Sequence, residues 1–151
     1  MSTKGIGYTD YRQKRIAEGL MSSKIENPGN ERYVVYFGRA HVDDHLTGVA
    51  CRGRLKVGRA KFVTALMRGR NQPGIDFRVY AEIVVGNNEE TKDLENIAAD
   101  VLKTRHSSGS QGQRELYDVK DDEIADFVDR IVNRAKASFY PINILSIDTY
   151  I

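Results

Sequence analysis

Among 151 residues there is one cysteine, Cys51, which excludes an intramolecular disulfide and any structural zinc site built on several thiolates. A small, semi-buried thiol is the simplest reading of that residue. No apolar run approaches the roughly 18 residues of a membrane span, and the opening stretch MSTKGIGYTDYRQKR lacks a signal-peptide core. A cytoplasmic protein with no membrane association is therefore expected. Internal repeats are also lacking. The most informative lack is of acid: from Cys51 to Ile75, CRGRLKVGRAKFVTALMRGRNQPGI, there is no Asp or Glu, while seven of the 23 Lys and Arg fall within those 25 positions.

Acids concentrate elsewhere. From Glu82 to Asp129 there are 13 acidic residues against five basic ones, so the net charge of +2 conceals a positive side and a negative side. Such polarity points to an anionic partner on the basic side, with plain solvation of a surface as the competing explanation. At this length one globular domain with terminal arms is expected. Residues 1–31 read as an N-terminal helical arm and linker, 32–136 as the domain, and 137–151 as a C-terminal tail.

Within the domain, YVVYF (Tyr33 to Phe37) is β-branched and aromatic throughout and predicts a buried strand. RAHVDDHLTGVACRG reads as a polar connection. In RLKVG, alternation places Leu55 and Val57 on one face and Arg54 and Lys56 on the other. Lys61 to Arg68 predicts a short helix stopping near Gly69, and FRVYAEIVV (Phe77 to Val85) alternates as a half-buried strand. The expected fold is α+β: a small central three-stranded, mainly antiparallel sheet flanked by helices, with RELYDV as a further short strand.

Asn87 followed by Glu90 resembles a capping box ahead of a helix carrying Leu94, Ile97, Ala98, Val101 and Leu102. A last helix from about Asp121 buries Ile124, Phe127, Val128, Ile131, Val132 and Ala135, with acids first and Arg130, Arg134 and Lys136 later, matching the macrodipole. SFYPINILSIDTYI has no helical period. It reads as a strand or extended arm whose exposed form suits a homodimer contact.

The order of these pieces, YVVYF, then KVG, then a helix with Arg68, a third strand, and a helix bearing Leu94-Glu95, resembles the GIY-YIG nuclease superfamily. The likeness is to the phage-associated branch whose second motif is Lys-Ile-Gly, and it spans about Tyr33 to Ile131. The resemblance implies a metal-dependent DNA endonuclease in which Tyr36 is the proton acceptor assisted by Lys56, Gly58 shapes the motif, Arg68 braces the transition state, and Glu95 holds the metal. Arg70 is the alternative to Arg68, and Val34 stands where the family's first motif has Gly.

The residue chemistry is compatible with that reading. Phosphodiester hydrolysis requires deprotonation of a water and neutralisation of charge on the phosphoryl oxygens. Mg²⁺, or Mn²⁺, prefers oxygen ligands and keeps several waters, so one carboxylate plus the substrate phosphate can hold it. Arginine offers phosphate a forked, permanently charged donor set. Arg39, Arg52, Arg54, Arg59, Lys61 and Arg70 are then candidates to grip the flanking DNA backbone, double-stranded DNA being the expected partner.

Each assignment has a plain alternative: Tyr36 as a core aromatic, Lys56 as a solvated strand residue, Glu95 as a helix-edge carboxylate. His41, Asp43, Asp44 and His45 form a tempting metal set that fits no ligand template, and His106 reads as a helix-end residue. The loop SGSQGQ lacks the strand-loop-helix context of a phosphate-binding loop. Beside the endonuclease stand two other readings: a nucleic-acid-binding module without activity, and a structural or assembly protein.

Overall fold

The computed structural model describes residues 5–7, 10, 13, 17, 32–43, 50–61, 75–106 and 116–150. Of the expected helix over Tyr8 to Leu20 only Asp10, Gln13 and Ala17 are described, each of them helical, and of the expected helix over Lys61 to Arg68 only Lys61, which is extended; the rest of both, the linker after Leu20 and the SGSQGQ loop lie outside them. Seven strands make one antiparallel sheet: β1 (Ile6–Gly7), β2 (Tyr33–Asp43), β3 (Ala50–Arg52), β4 (Leu55–Lys61), β5 (Ile75–Val85), β6 (Leu116–Tyr117) and β7 (Ile144–Thr149). Among the described residues two complete α-helices accompany it, α1 (Asn88–Val101) and α2 (Ile124–Lys136).

The α+β class is as expected, but the small three-stranded sheet is not. β2 runs 11 residues, through the stretch expected to be a polar connection. It pairs with β4 and then β3 along one edge and with β5 along the other. β4 carries β6 on its far side, while β1 and β7 follow one another along the outer edge of β5. The polar second half of β2 hid the strand. Arg39 is buried there because its charge is met by Asp121 (Nε to Oδ1, 2.7 Å) and by the carbonyls of Gly53 and Val119. His41 lies 2.7 Å from the Tyr80 hydroxyl.

A register shift between Phe37 and Gly38 leaves Tyr80 as an extra residue on β5. Such a bulge puts two successive side chains on one face, and both Tyr80 and Ala81 join the helix-side core. That core is formed by Val35 and Phe37 of β2, Leu55 and Val57 of β4, Ile83 and Val85 of β5, and the apolar stripes of both helices. α1 buries Leu94 and Ala98, and α2 buries the six residues its periodicity marks.

The expected capping box forms by half. Asn87 Oδ1 accepts the Glu90 amide N–H at 2.9 Å, whereas the Glu90 carboxylate accepts the backbone N–H of Asn143 and so ties the start of α1 to the approach to β7. A 3₁₀ turn, Asp121–Glu123, precedes α2. There the Arg105 guanidinium forks onto Glu123 (3.0 and 2.6 Å). That bond, seconded by the Lys120 backbone N–H, holds the Glu123 carboxyl below its ordinary value of 4.5.

Two outcomes follow from this packing. Ile131→Ala should lower stability in urea denaturation by about 2–5 kcal/mol, whereas Asn133→Ala, on the exposed side of α2, should stay within about 0.5 kcal/mol. A depressed carboxyl stabilises the fold above its unfolded pKa, and the contribution fades as pH falls through the folded value. Glu123→Gln should therefore lower Tm at neutral pH, with the difference from the parent chain closing below pH 4.5.

Candidate nucleic-acid interface

Strand alternation decides which candidate residues can meet. Val35, Phe37, Leu55 and Val57 face the helices, so Tyr36, Gly38, Lys56 and Gly58 face the other way. On that second face the cross-strand partners form a row: Gly58 of β4, Tyr36 of β2, Glu82 of β5 and Asp148 of β7. Lys56 stands on the same face, opposite Gly38.

Gly58 has a steric reason. A Cβ there would lie 2.5 Å from Tyr36 Cζ, because the tyrosine ring crosses directly over the glycine. The other side of that ring meets Phe77 edge-on, with centroids 5.9 Å apart. Phe77 in turn crosses Gly38, where a Cβ would come within 2.6 Å of Phe77 Cζ. Two glycines thus leave room for two aromatic rings packed edge-to-face on this side of the sheet.

This face is buried, not half-solvated. Val34, Tyr36, Phe77, Val79, Glu82 and Val84 are all at most 6% exposed, although both described helices pack on the opposite side. Glu82, which alternation assigns to a polar surface, is 1% exposed and accepts a hydrogen bond from the Tyr150 hydroxyl at 3.0 Å. Sequence reasoning missed it. The available signal was an acid set among the apolar and aromatic residues of VYAEIVV.

Glu95 is not on this face. It projects from α1 toward the helix side of β4, where Arg59 Nε lies 3.7 Å from its Oε1. Arg59 is three residues from Lys56 and so on the opposite side of the strand. Tyr36 and Lys56 are brought to one face, and Glu95 and Arg59 to the other. A metal shared by Tyr36 and Glu95 does not fit these positions, and among the described residues no group of three or more His, Cys, Asp and Glu is placed to hold one.

The proposed backbone-gripping residues divide similarly. Arg39 is buried in the clamp described above. Arg54 is exposed and pairs with Asp118 at 3.3 Å. Lys56 is partly exposed and forms no ion pair among the described residues. Arg52 and Lys61 fall within β3 and at the end of β4, and Arg68 and Arg70 lie outside the described residues, as do Asp44 and His45. His106 bridges to Tyr117 beside the end of α1.

Comparison with family models, with curated proteins and with solved structures finds no match.

The ring-over-glycine packing is open to a double-mutant cycle. Gly58→Ala should cost about 1–3 kcal/mol by overpacking. In a Tyr36→Ala background the same change should cost under about 0.5 kcal/mol, because the obstructing ring is gone.

Proposed function

We propose that the chain binds nucleic acid in the cytoplasm, holding the phosphate backbone from its acid-free segment. The observation that carries this is Lys56: a partly exposed cation, without an acidic partner among the described residues, near the start of a strand whose sequence neighbourhood contains no carboxylate. Arg54, two positions away, is exposed and paired to Asp118 only at 3.3 Å, a surface contact that a phosphate can outcompete at little cost. Binding of this kind releases counterions from the nucleic acid and weakens steeply with salt.

Hydrolysis by a GIY-YIG-like endonuclease is the second reading, favoured by the shared face of Tyr36 and Lys56. Against it, the carboxylate beside Tyr36 is the buried Glu82 and not Glu95. A role for Mg²⁺ or Mn²⁺ held by Glu95 would require the two faces of the sheet to act together, so no catalytic step is assigned to it.

One experiment separates the readings. Labelled duplex and single-stranded DNA titrated by fluorescence anisotropy over a salt series should bind with a steep negative salt dependence, and Lys56→Ala should reduce the slope of log K against log salt by about one. Salt-independent binding, or none, would sink the proposal. In parallel, supercoiled plasmid with Mg²⁺ or Mn²⁺ should remain intact; cleavage abolished by Tyr36→Phe and Glu95→Ala would establish the endonuclease instead.

A further inference from the structure

The outer strand of the sheet, β7, has the sequence ILSIDT. Edge strands are ordinarily protected from pairing with other chains by lysine, proline or a covering segment. β7 contains neither residue, and Leu145 and Ile147 along it are 60% and 42% exposed. Just before it, Phe139 and Tyr140 are 89% and 82% exposed and pack edge-to-face on each other, with ring centroids 4.9 Å apart.

The ladder tells which backbone groups point outward. The Tyr150 amide N–H donates to the Tyr80 carbonyl at 2.8 Å, and the same register continues through Asp148 with Glu82 and Ser146 with Val84. In an antiparallel ladder alternate residues bond to the neighbour. Ser146, Asp148 and Tyr150 therefore direct their backbone groups to β5, and Ile147 and Thr149 direct theirs away from it. Among the described residues β7 pairs with β5 alone.

We propose that β7 pairs antiparallel with β7 of a second copy of this chain, across a twofold axis at Ile147, to give one sheet continuous through the dimer. Register follows from the side chains. An axis at Asp148 would set carboxylate against carboxylate, which is destabilising. With the axis at Ile147, the hydroxyl of Ser146 stands opposite the carboxylate of Asp148 in the other copy, twice, on one face. Leu145 stands opposite Thr149 on the other face, where Ile147 meets its own copy.

The available area suits this occupant. Phe139 and Tyr140 together present on the order of 300 Å², since an aromatic side chain carries about 150–250 Å². With Leu145 and Ile147 they supply roughly half of the ~800 Å² that a standard interface takes from each partner. This inference is independent of the nucleic-acid reading, because β7 lies at the opposite end of the strand order from β4 and β6.

Sedimentation or light scattering at about 100 µM, well above a micromolar Kd, should give twice the chain mass. Ile147→Lys should give the single-chain mass with an unchanged circular dichroism spectrum. Register is read by disulfide trapping in a Cys51→Ser background. Residues 146 and 148 of the two copies form a non-hydrogen-bonded pair with Cα atoms about 4.5 Å apart, so oxidising a mixture of Ser146→Cys and Asp148→Cys chains should trap a mixed dimer faster than either chain traps itself. A parent chain that is monomeric at this concentration overturns the proposal, whatever else binds the strip. Faster self-trapping of Ser146→Cys overturns the register.

Discussion

The structure depends on the pairing of two 11-residue strands, β2 with β5, at the middle of the sheet. β2 is the strand that joins the two halves: β3, β4 and β6 hang from one edge, and β1 and β7 reach the sheet only through β5 on the other. Over Val34 to Arg39 and Val79 to Val85 these two strands are buried on both faces. Each inward position must therefore be apolar, a glycine beneath a ring, or a polar group whose partners come with it, as unpaired polar groups are costly to bury. Arg39 and Glu82 meet that condition in opposite ways. Arg39 is charged and answered by a carboxylate and two carbonyls, and Glu82 receives the hydroxyl of Tyr150 from the end of the chain.

Much of the fold is legible in the sequence, and the illegible parts have a common cause. α2 and the apolar stripe of α1 follow from helical spacing alone, because a helix against one layer has one buried face. YVVYF and FRVYAEIVV are recognisable as strands for their β-branched and aromatic content. What fails is the extent of the sheet. GRAHVD looks like a loop because Arg39, His41 and Asp43 are polar, yet tertiary partners far along the chain, Asp121 and Tyr80, supply what solvent would otherwise supply. In FRVYAEIVV the strict alternation read along the chain is broken by the bulge, which brings Tyr80 to the helix side and leaves Glu82 beside Tyr36. Local pattern carries no information about a residue inserted opposite Phe37 and Gly38.

The candidate site was legible in the same partial way. Tyr36 and Gly58 are neighbours as the motif order suggests, but their contact is sterically complete without any chemistry: the ring needs the glycine. Order along the chain points to Glu95, but order along the chain does not specify a side of a sheet. The helix that carries it packs over Val57 and Leu55, so its half-exposed carboxylate meets the β4 residue on that side, Arg59.

The same parity governs how the basic segment can act. Lys56 and Arg59 are separated by three positions, an odd number, so a strand turns them to opposite faces. Arg54 precedes the strand and pairs with Asp118. A helix with the same sequence would gather positions three and four apart on one stripe and could surround a phosphate. A strand cannot, and it offers its cations in two ranks. On the helix side the acidic α1 closes the rank, taking Arg59 through Glu95. On the other side Lys56 is partly exposed, and under the proposed function it meets a phosphate of an extended backbone, with Arg54 joining it by giving up its surface contact with Asp118. Recognition by a row of evenly spaced charges is weak at each step and cumulative in number. Under the proposed function, β4 is therefore better suited to track a backbone than to polarise a single bond.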